Sequence, residues 1–115
     1  MISPDIGLAI LDTIPHPILF VDNDHVIQYL NAPARKRYYE ERGLSDLIGK
    51  SVFDCHNPGS REKIKEIHAG LVAGEKEFYL GVFKGEKVTV VGVRDSGGKI
   101  IGYYERFEKT EALQP

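Results

Sequence analysis

The last third of the chain constrains the fold most. Residues 75–85, 86–95 and 99–109 are three runs rich in Val, Ile, Tyr and Phe, side chains that suit a pleated surface. Gly85 marks one tight turn between them, and Asp95-Ser96-Gly97-Gly98 marks another. Three such runs joined by short turns predict an antiparallel meander. A sheet of this kind needs one face covered, and the preceding segment supplies a cover. In 61–74, Ile64, Ile67, His68, Leu71 and Val72 fall at i, i+3, i+4, i+7 and i+8, which predicts an amphipathic helix ended by Gly74.

The first half reads as helix, hairpin, helix. Residues 3–14 start with Ser3 as a cap and Pro4 at the first helical position. Ile6, Ala9 and Ile10 form one apolar edge of that helix, and Leu8, Leu11 and Ile14 form another. Two apolar edges imply either deep burial or a second neighbour such as another subunit. Residues 16–22 and 25–30 read as strands around an Asp/Asn-rich turn, VDNDH. Asn31 caps a helix over 31–42 that Gly43 ends, and its charges of both signs mark a solvated face. Residues 44–60 read as short helical turns, and 110–115 as a polar exit. The expected fold class is α+β: a five-stranded antiparallel sheet with helices packed mainly on one face.

Composition narrows the function. At 115 residues the chain fits one domain. With 15 basic and 17 acidic residues it lacks the basic excess of a nucleic-acid binder. No apolar run reaches membrane-span length, and the N-terminus lacks a basic signal region. The single cysteine, Cys55, excludes an internal disulfide, so a reducing, cytoplasmic setting is expected. Cys55 and His56 are the one candidate catalytic pair, and no poised acid–base constellation accompanies them; an enzyme is not expected.

Several stretches, taken in order, resemble a PAS domain, the widespread sensory module. They are ILDTIPHPILFVDNDHVIQYLNAPA at the opening, LIGKSVFD in the middle and VVGVRDSGGKIIGYY in the closing hairpin. D-C-H-N-P at 54–58 matches a subgroup of that family. The resemblance covers about residues 5–109 and implies a PAS fold: a single domain over 1–115, with an N-terminal helix (1–14), a core (15–109) and a tail (110–115). It also implies a small internal pocket. Members of the family hold haem, flavin, a covalent chromophore or small metabolites there, and many are empty. Fold alone does not choose among these.

The Cys-His pair admits several chemistries. Zinc needs about four converging N or S ligands, and one cysteine with four scattered histidines does not supply them. Covalent haem needs C-x-x-C-H, which is absent. Non-covalent haem remains as an alternative, with His68 on the inward stripe of the long helix, or His56 just before it, as the axial ligand. Similarity to light-sensing members argues against flavin, because Val52 stands where their reactive cysteine lies. Similarity to photoactive yellow protein aligns Cys55 with its chromophore cysteine and Tyr29 with its phenol-binding tyrosine. The partner glutamate is missing near Ala34. A reactive thiol would need activation by His56 or by the helix that Asn57-Pro58 begins, and a free cysteine is more often an inert core residue. DCHNPGS therefore reads mainly as a helix start, with Cys55 and His56 at the pocket mouth.

The pocket candidates are Phe53, Cys55, His56, Ile64, Ile67, His68 and Leu71, with Val88, Val90, Gly92 and Tyr104 added by similarity to flavin-type PAS domains. Alternation keeps residues 88, 90 and 92 on one sheet face. Gly81, Gly92 and Gly102 mark either close approach of a ligand or relief of crowding in a twisted sheet. Such a pocket suits a small, mostly apolar ligand with one or two polar groups, and no resident cofactor is expected. The resemblance thus implies a sensory module for signal transduction or transcription regulation. It would bind a small molecule and act through an attached effector domain or partner protein. A homodimer through Ile6, Ala9 and Ile10 is expected, with no nucleic-acid or membrane partner. The alternatives are a ligand-free interaction module and a haem-based gas or redox sensor.

Overall fold

A computed structural model describes residues 3–55 and 58–110. The elements are α1 (Pro4–Thr13), β1 (Leu19–Asp22), β2 (Ile27–Leu30), α2 (Ala32–Arg35), α3 (Pro58–Val72), β3 (Glu77–Phe83), β4 (Glu86–Arg94) and β5 (Ile100–Lys109). The five strands make one antiparallel sheet in the order β2-β1-β5-β4-β3. The α+β expectation therefore holds. Pairing of β1 with β5 ties the first hairpin to the meander, so the two halves of the chain close one sheet. The core lies between this sheet and α3, around Val21, Ile27, Leu30, Leu71 and Val90.

Local chemistry sets the element ends. The Ser3 side chain accepts a hydrogen bond from Ile6 N–H, and Pro4 opens α1. In the β1–β2 turn, Asp22 Oδ1 accepts from the N–H groups of Asp24 and Val26, and His25 takes a left-handed φ of 64°. Asp95 Oδ1 accepts from Gly97 and Lys99 N–H in the β4–β5 turn. Pro58 begins α3, three residues before the segment that periodicity marked.

The helix expected over 31–42 departs from α geometry. Asn31 caps it as predicted, but α2 lasts only to Arg35, and Lys36–Glu41 continue as a π-helix. Tyr38 and Tyr39 both rest against the core from this segment. A wider turn brings consecutive side chains closer to one face, which lets both tyrosines pack. Within 44–60 the described helical turn is a 3₁₀ segment, Val52–Cys55, preceded by a bridge between Val26 and Ser51. Residues 111–115 of the expected tail lie outside the described residues.

The end of α3 is capped from the sheet. Arg94 Nη2 donates to the carbonyls of Leu71 (2.6 Å) and Glu75 (3.1 Å), and Nη1 donates to Gly98 O (3.1 Å). The cation thereby meets the partial negative charge at a helix C-terminus. Arg94→Ala is expected to cost about 1–2 kcal/mol in urea unfolding. Amide exchange should accelerate over residues 72–76. Unchanged exchange there would show that the cap is dispensable.

Candidate functional site

A cavity of about 440 Å³ lies between the inner sheet face and α3, a size suited to a small molecule. The sheet contributes Leu19, Val21, Val90, Tyr103, Glu105 and Phe107. From α3 come Ser60, Lys63, Ile64, Ile67 and His68. The third wall is the connecting chain, through Tyr38, Arg42, Leu44, Leu47 and Val52.

Strand register explains which sheet residues face in. Gly92 stands opposite Tyr103, Val90 opposite Glu105 and Val88 opposite Phe107, and directly opposed residues share a face. Tyr104 stands opposite Val91 and Phe20, on the other face. The expectation that Tyr104 lines the pocket is therefore corrected to Tyr103. Coming out of the turn, Arg94 pairs with Ile100, and continuing that register would set Tyr104 opposite Val90. A bulge leaves Ile101 as an extra residue and shifts the remaining pairs by one.

One end of the cavity is polar. The Tyr103 hydroxyl and His25 Nδ1 lie 2.8 Å apart. The His25 ring stacks against Phe53, with centroids at 4.5 Å, and meets the His68 ring edge-on at 5.0 Å. His68 Nε2 is 3.1 Å from Asn23 Oδ1, and Asn23 Nδ2 donates to Ile100 O at 3.1 Å. Burial, then the nearby His68, holds the His25 imidazole below its usual range, while Asp22 pulls the other way. Burial pushes the Tyr103 phenol far up, with Glu105 and Asp22 adding to the effect, so it stays neutral. At the cavity edges, Arg42 lies 5.0 Å from the Tyr38 ring centroid, and the Lys63 ammonium lies 4.8 Å from that of Phe78.

Ile64, Ile67, His68 and Val90, named from sequence, are together on the cavity wall. Leu71 and Val88 are buried in the core beside it. Gly92 is covered by Leu71 and Ile100. Phe53 packs on His25, and its neighbour Val52 takes the wall position. His56 and Asn57 lie outside the described residues, as does the Cys55 side chain. Among the described residues, no group of three His, Cys, Asp or Glu is placed to hold a metal ion. None of the α1 residues is buried, and Ile6 and Ile10 stand half exposed. No helix among the described residues is long and apolar enough to cross a membrane.

Sequence reasoning missed His25, Tyr38, Arg42, Leu44, Leu47, Lys63 and Glu105. Leu44 and Leu47 sit in a non-periodic stretch, where pattern carries no signal. His25 is brought in by a left-handed turn residue. Its only sequence mark is its place after Asp-Asn-Asp.

Comparison with known proteins places this architecture. A family model described as the PAS fold matches residues 11–114. The C-terminal domain of a Streptococcus mutans protein superposes with a TM-score of 0.76 at 24% identity, covering 97% of this chain and 88% of that one. A PAS domain from Colwellia psychrerythraea gives 0.65 at 17% identity, covering 94% and 97%. A sensory box sensor histidine kinase from Vibrio cholerae gives 0.61 at 19% identity, covering 91% and 89%. No curated protein matches the chain.

Proposed function

We propose a ligand-sensing function, and its premise is plain: the chain belongs to the PAS-fold family. PAS domains are modules of sensory and signalling proteins, and a similar structure is that of a sensor histidine kinase. On this reading the chain binds a small ligand between α3 and the inner sheet face. It passes its state to an attached effector or a partner protein. The observation that carries the reading is the 440 Å³ cavity, apolar along most of its wall and polar at the Tyr103–His68 end.

The test is native mass spectrometry of freshly purified protein. The expected result is an added small-molecule mass that is lost on denaturation. Val90→Phe, which fills the cavity from the sheet, should abolish the added mass while the circular dichroism spectrum is kept. An added mass that persists in folded Val90→Phe would place the ligand elsewhere.

A ligand-free dimerisation module is the second reading, and the exposed apolar residues Ile6, Leu8 and Ile10 on α1 favour it. It predicts an apo dimer that Ile10→Glu converts to monomer. Haem bound by His68 is the less favoured form of the sensing reading. Axial ligation through Nε2 would first have to break the contact with Asn23.

A further inference from the structure

We propose that the cavity takes a small apolar carboxylate, with its anionic group at the Tyr103–His68 end, and that binding takes up a proton at the His25–His68 pair. The inference rests on the ligand-sensing reading and specifies its chemistry.

The hydrogen-bond pattern fixes where protons can sit. Asn23 Nδ2 is committed to Ile100 O, so Oδ1 is left to accept. His68 Nε2, 3.1 Å away, must therefore carry a hydrogen. Between Tyr103 and His25 Nδ1 there is room for one hydrogen. With His25 neutral and its lone pair on Nδ1, the phenol donates to it, and the tyrosine oxygen offers only lone pairs to anything else. With His25 protonated, Nδ1–H donates to the tyrosine oxygen and the phenolic hydrogen is released. One proton on His25 thus converts Tyr103 from an acceptor into a donor beside the cavity.

The surrounding charges decide when that proton arrives. Asp22 and Asp24, from the same turn, favour it; His68 and Lys65, from α3, oppose it. Phe53 covers the ring without charge, and Tyr103 on β5 is neutral. A further negative charge near the ring would tip this balance toward the protonated form. Along the rest of the wall stand two fixed cations, Arg42 and Lys63, against one carboxylate, Glu105. At the Tyr103 end itself Glu105 and Asp22 both act on the phenol, so an anion placed there depends on the imidazolium beside it. A carboxylate beside Tyr103 would accept the phenolic hydrogen that His25 protonation releases, stabilise the imidazolium and raise the His25 pKa. Proton uptake on binding follows by linkage. A neutral ligand of the same shape can accept from Tyr103 but carries no charge to stabilise the imidazolium, so its binding takes up far less proton.

The test uses four probes: benzoate and benzamide, 4-methylpentanoate and its amide. Binding is followed by methyl NMR shifts of Ile64 and Val90 between pH 6 and 8, a window in which both carboxylates stay ionised. The imidazole resonances of His25 and His68 are titrated with and without probe. The expected result is that the carboxylates bind more tightly than the amides. Carboxylate affinity should rise between about three- and tenfold per unit fall in pH, with an upward shift of the His25 midpoint. His25→Asn, which tolerates the left-handed backbone, should bind with a flat pH profile. If the amides bind equally well with no pH dependence, the carboxylate inference is overturned while the cavity stays a ligand site. Carboxylate binding with an unmoved His25 midpoint overturns the proton linkage alone. If no probe shifts either methyl, the carboxylate inference falls, and the native mass spectrum alone decides the ligand-sensing reading.

Discussion

Asn31→Ala is expected to cost about 3–5 kcal/mol, a large share of the roughly 5–15 kcal/mol that holds a domain of this size. Asn31 is completely buried, and all its side-chain capacity toward the protein is used. Its Oδ1 accepts from Ile18 N–H (2.8 Å) and Ala34 N–H (3.1 Å). Its Nδ2 donates to Leu11 O (3.1 Å) and His16 O (3.0 Å). One side chain thus caps α2, anchors the entry to β1 and holds the end of α1. Alanine strands the Ile18 and Ala34 N–H groups and the His16 carbonyl together, and leaves Leu11 O with only its 3.3 Å bond from Ile14 N–H, where capping alone would account for about 1 kcal/mol. Thermal unfolding should fall by roughly 10–20 °C. A loss below about 1 kcal/mol would mean that the four groups find other partners and that Asn31 is only a cap.

Asn31→Asp separates the two halves of this role. It keeps an acceptor for Ile18 and Ala34 but turns a carboxylate oxygen toward the Leu11 and His16 carbonyls. Burial and those carbonyls raise the carboxyl pKa in the folded state above its unfolded value. Folded protein then binds more protons than unfolded, so this variant gains stability as pH falls toward the unfolded pKa and loses it as pH rises through the folded one. Denaturation midpoints at two pH values, each compared with the native chain, would show this. A deficit that does not shrink toward acid pH would point away from the Leu11 and His16 carbonyls as the cause.

How much of this was legible in the sequence depends on the range of the interaction. Caps and turns were readable because one side chain and its own neighbours decide them: Ser3, Asn31 and the DSGG turn all act within a few residues. The inward stripe of α3 was readable because one helical period carries it, and it placed Ile64, Ile67 and His68 on the cavity wall. Tyr103 was not readable, because a bulge at residue 101 decides which tyrosine faces in, and that bulge exists only in the pairing of β4 with β5. The π-helix was hidden for a similar reason. Packing of both Tyr38 and Tyr39 on a distant core sets its wider turn, and local propensity does not. The polar end of the cavity joins a turn, a 3₁₀ segment, a helix and a strand through His25, Phe53, His68 and Tyr103. Contacts between residues as distant as 25 and 103 leave no mark in spacing.

Gly102→Ala is expected to destabilise the domain by about 2–4 kcal/mol, and the reason also settles what the strand glycines are for. A Cβ at residue 102 would clash with Val21 O and sit 2.6 Å from the Phe20 ring. The carbonyl belongs to β1, paired directly with β5, so relief requires the two strands to part where the halves of the chain are joined. Gly92 differs in kind. Its added methyl would meet Ile100 Cδ1 at 2.9 Å and Leu71 Cδ2 at 3.2 Å, both ends of side chains that can turn aside. Gly92→Ala should therefore cost less, about 1 kcal/mol. Gly81 has a third reason: it sits at the β3–β4 register shift with a φ of 126°, which side chains rarely adopt. All three glycines are accounted for by strand packing and a bulge, and none by the approach of a ligand. Urea unfolding of the Gly92 and Gly102 variants checks the order. If Gly102→Ala proved as mild as Gly92→Ala, β1 and β5 would have to separate more easily than their pairing implies. The join between hairpin and meander would then be the sheet's flexible seam.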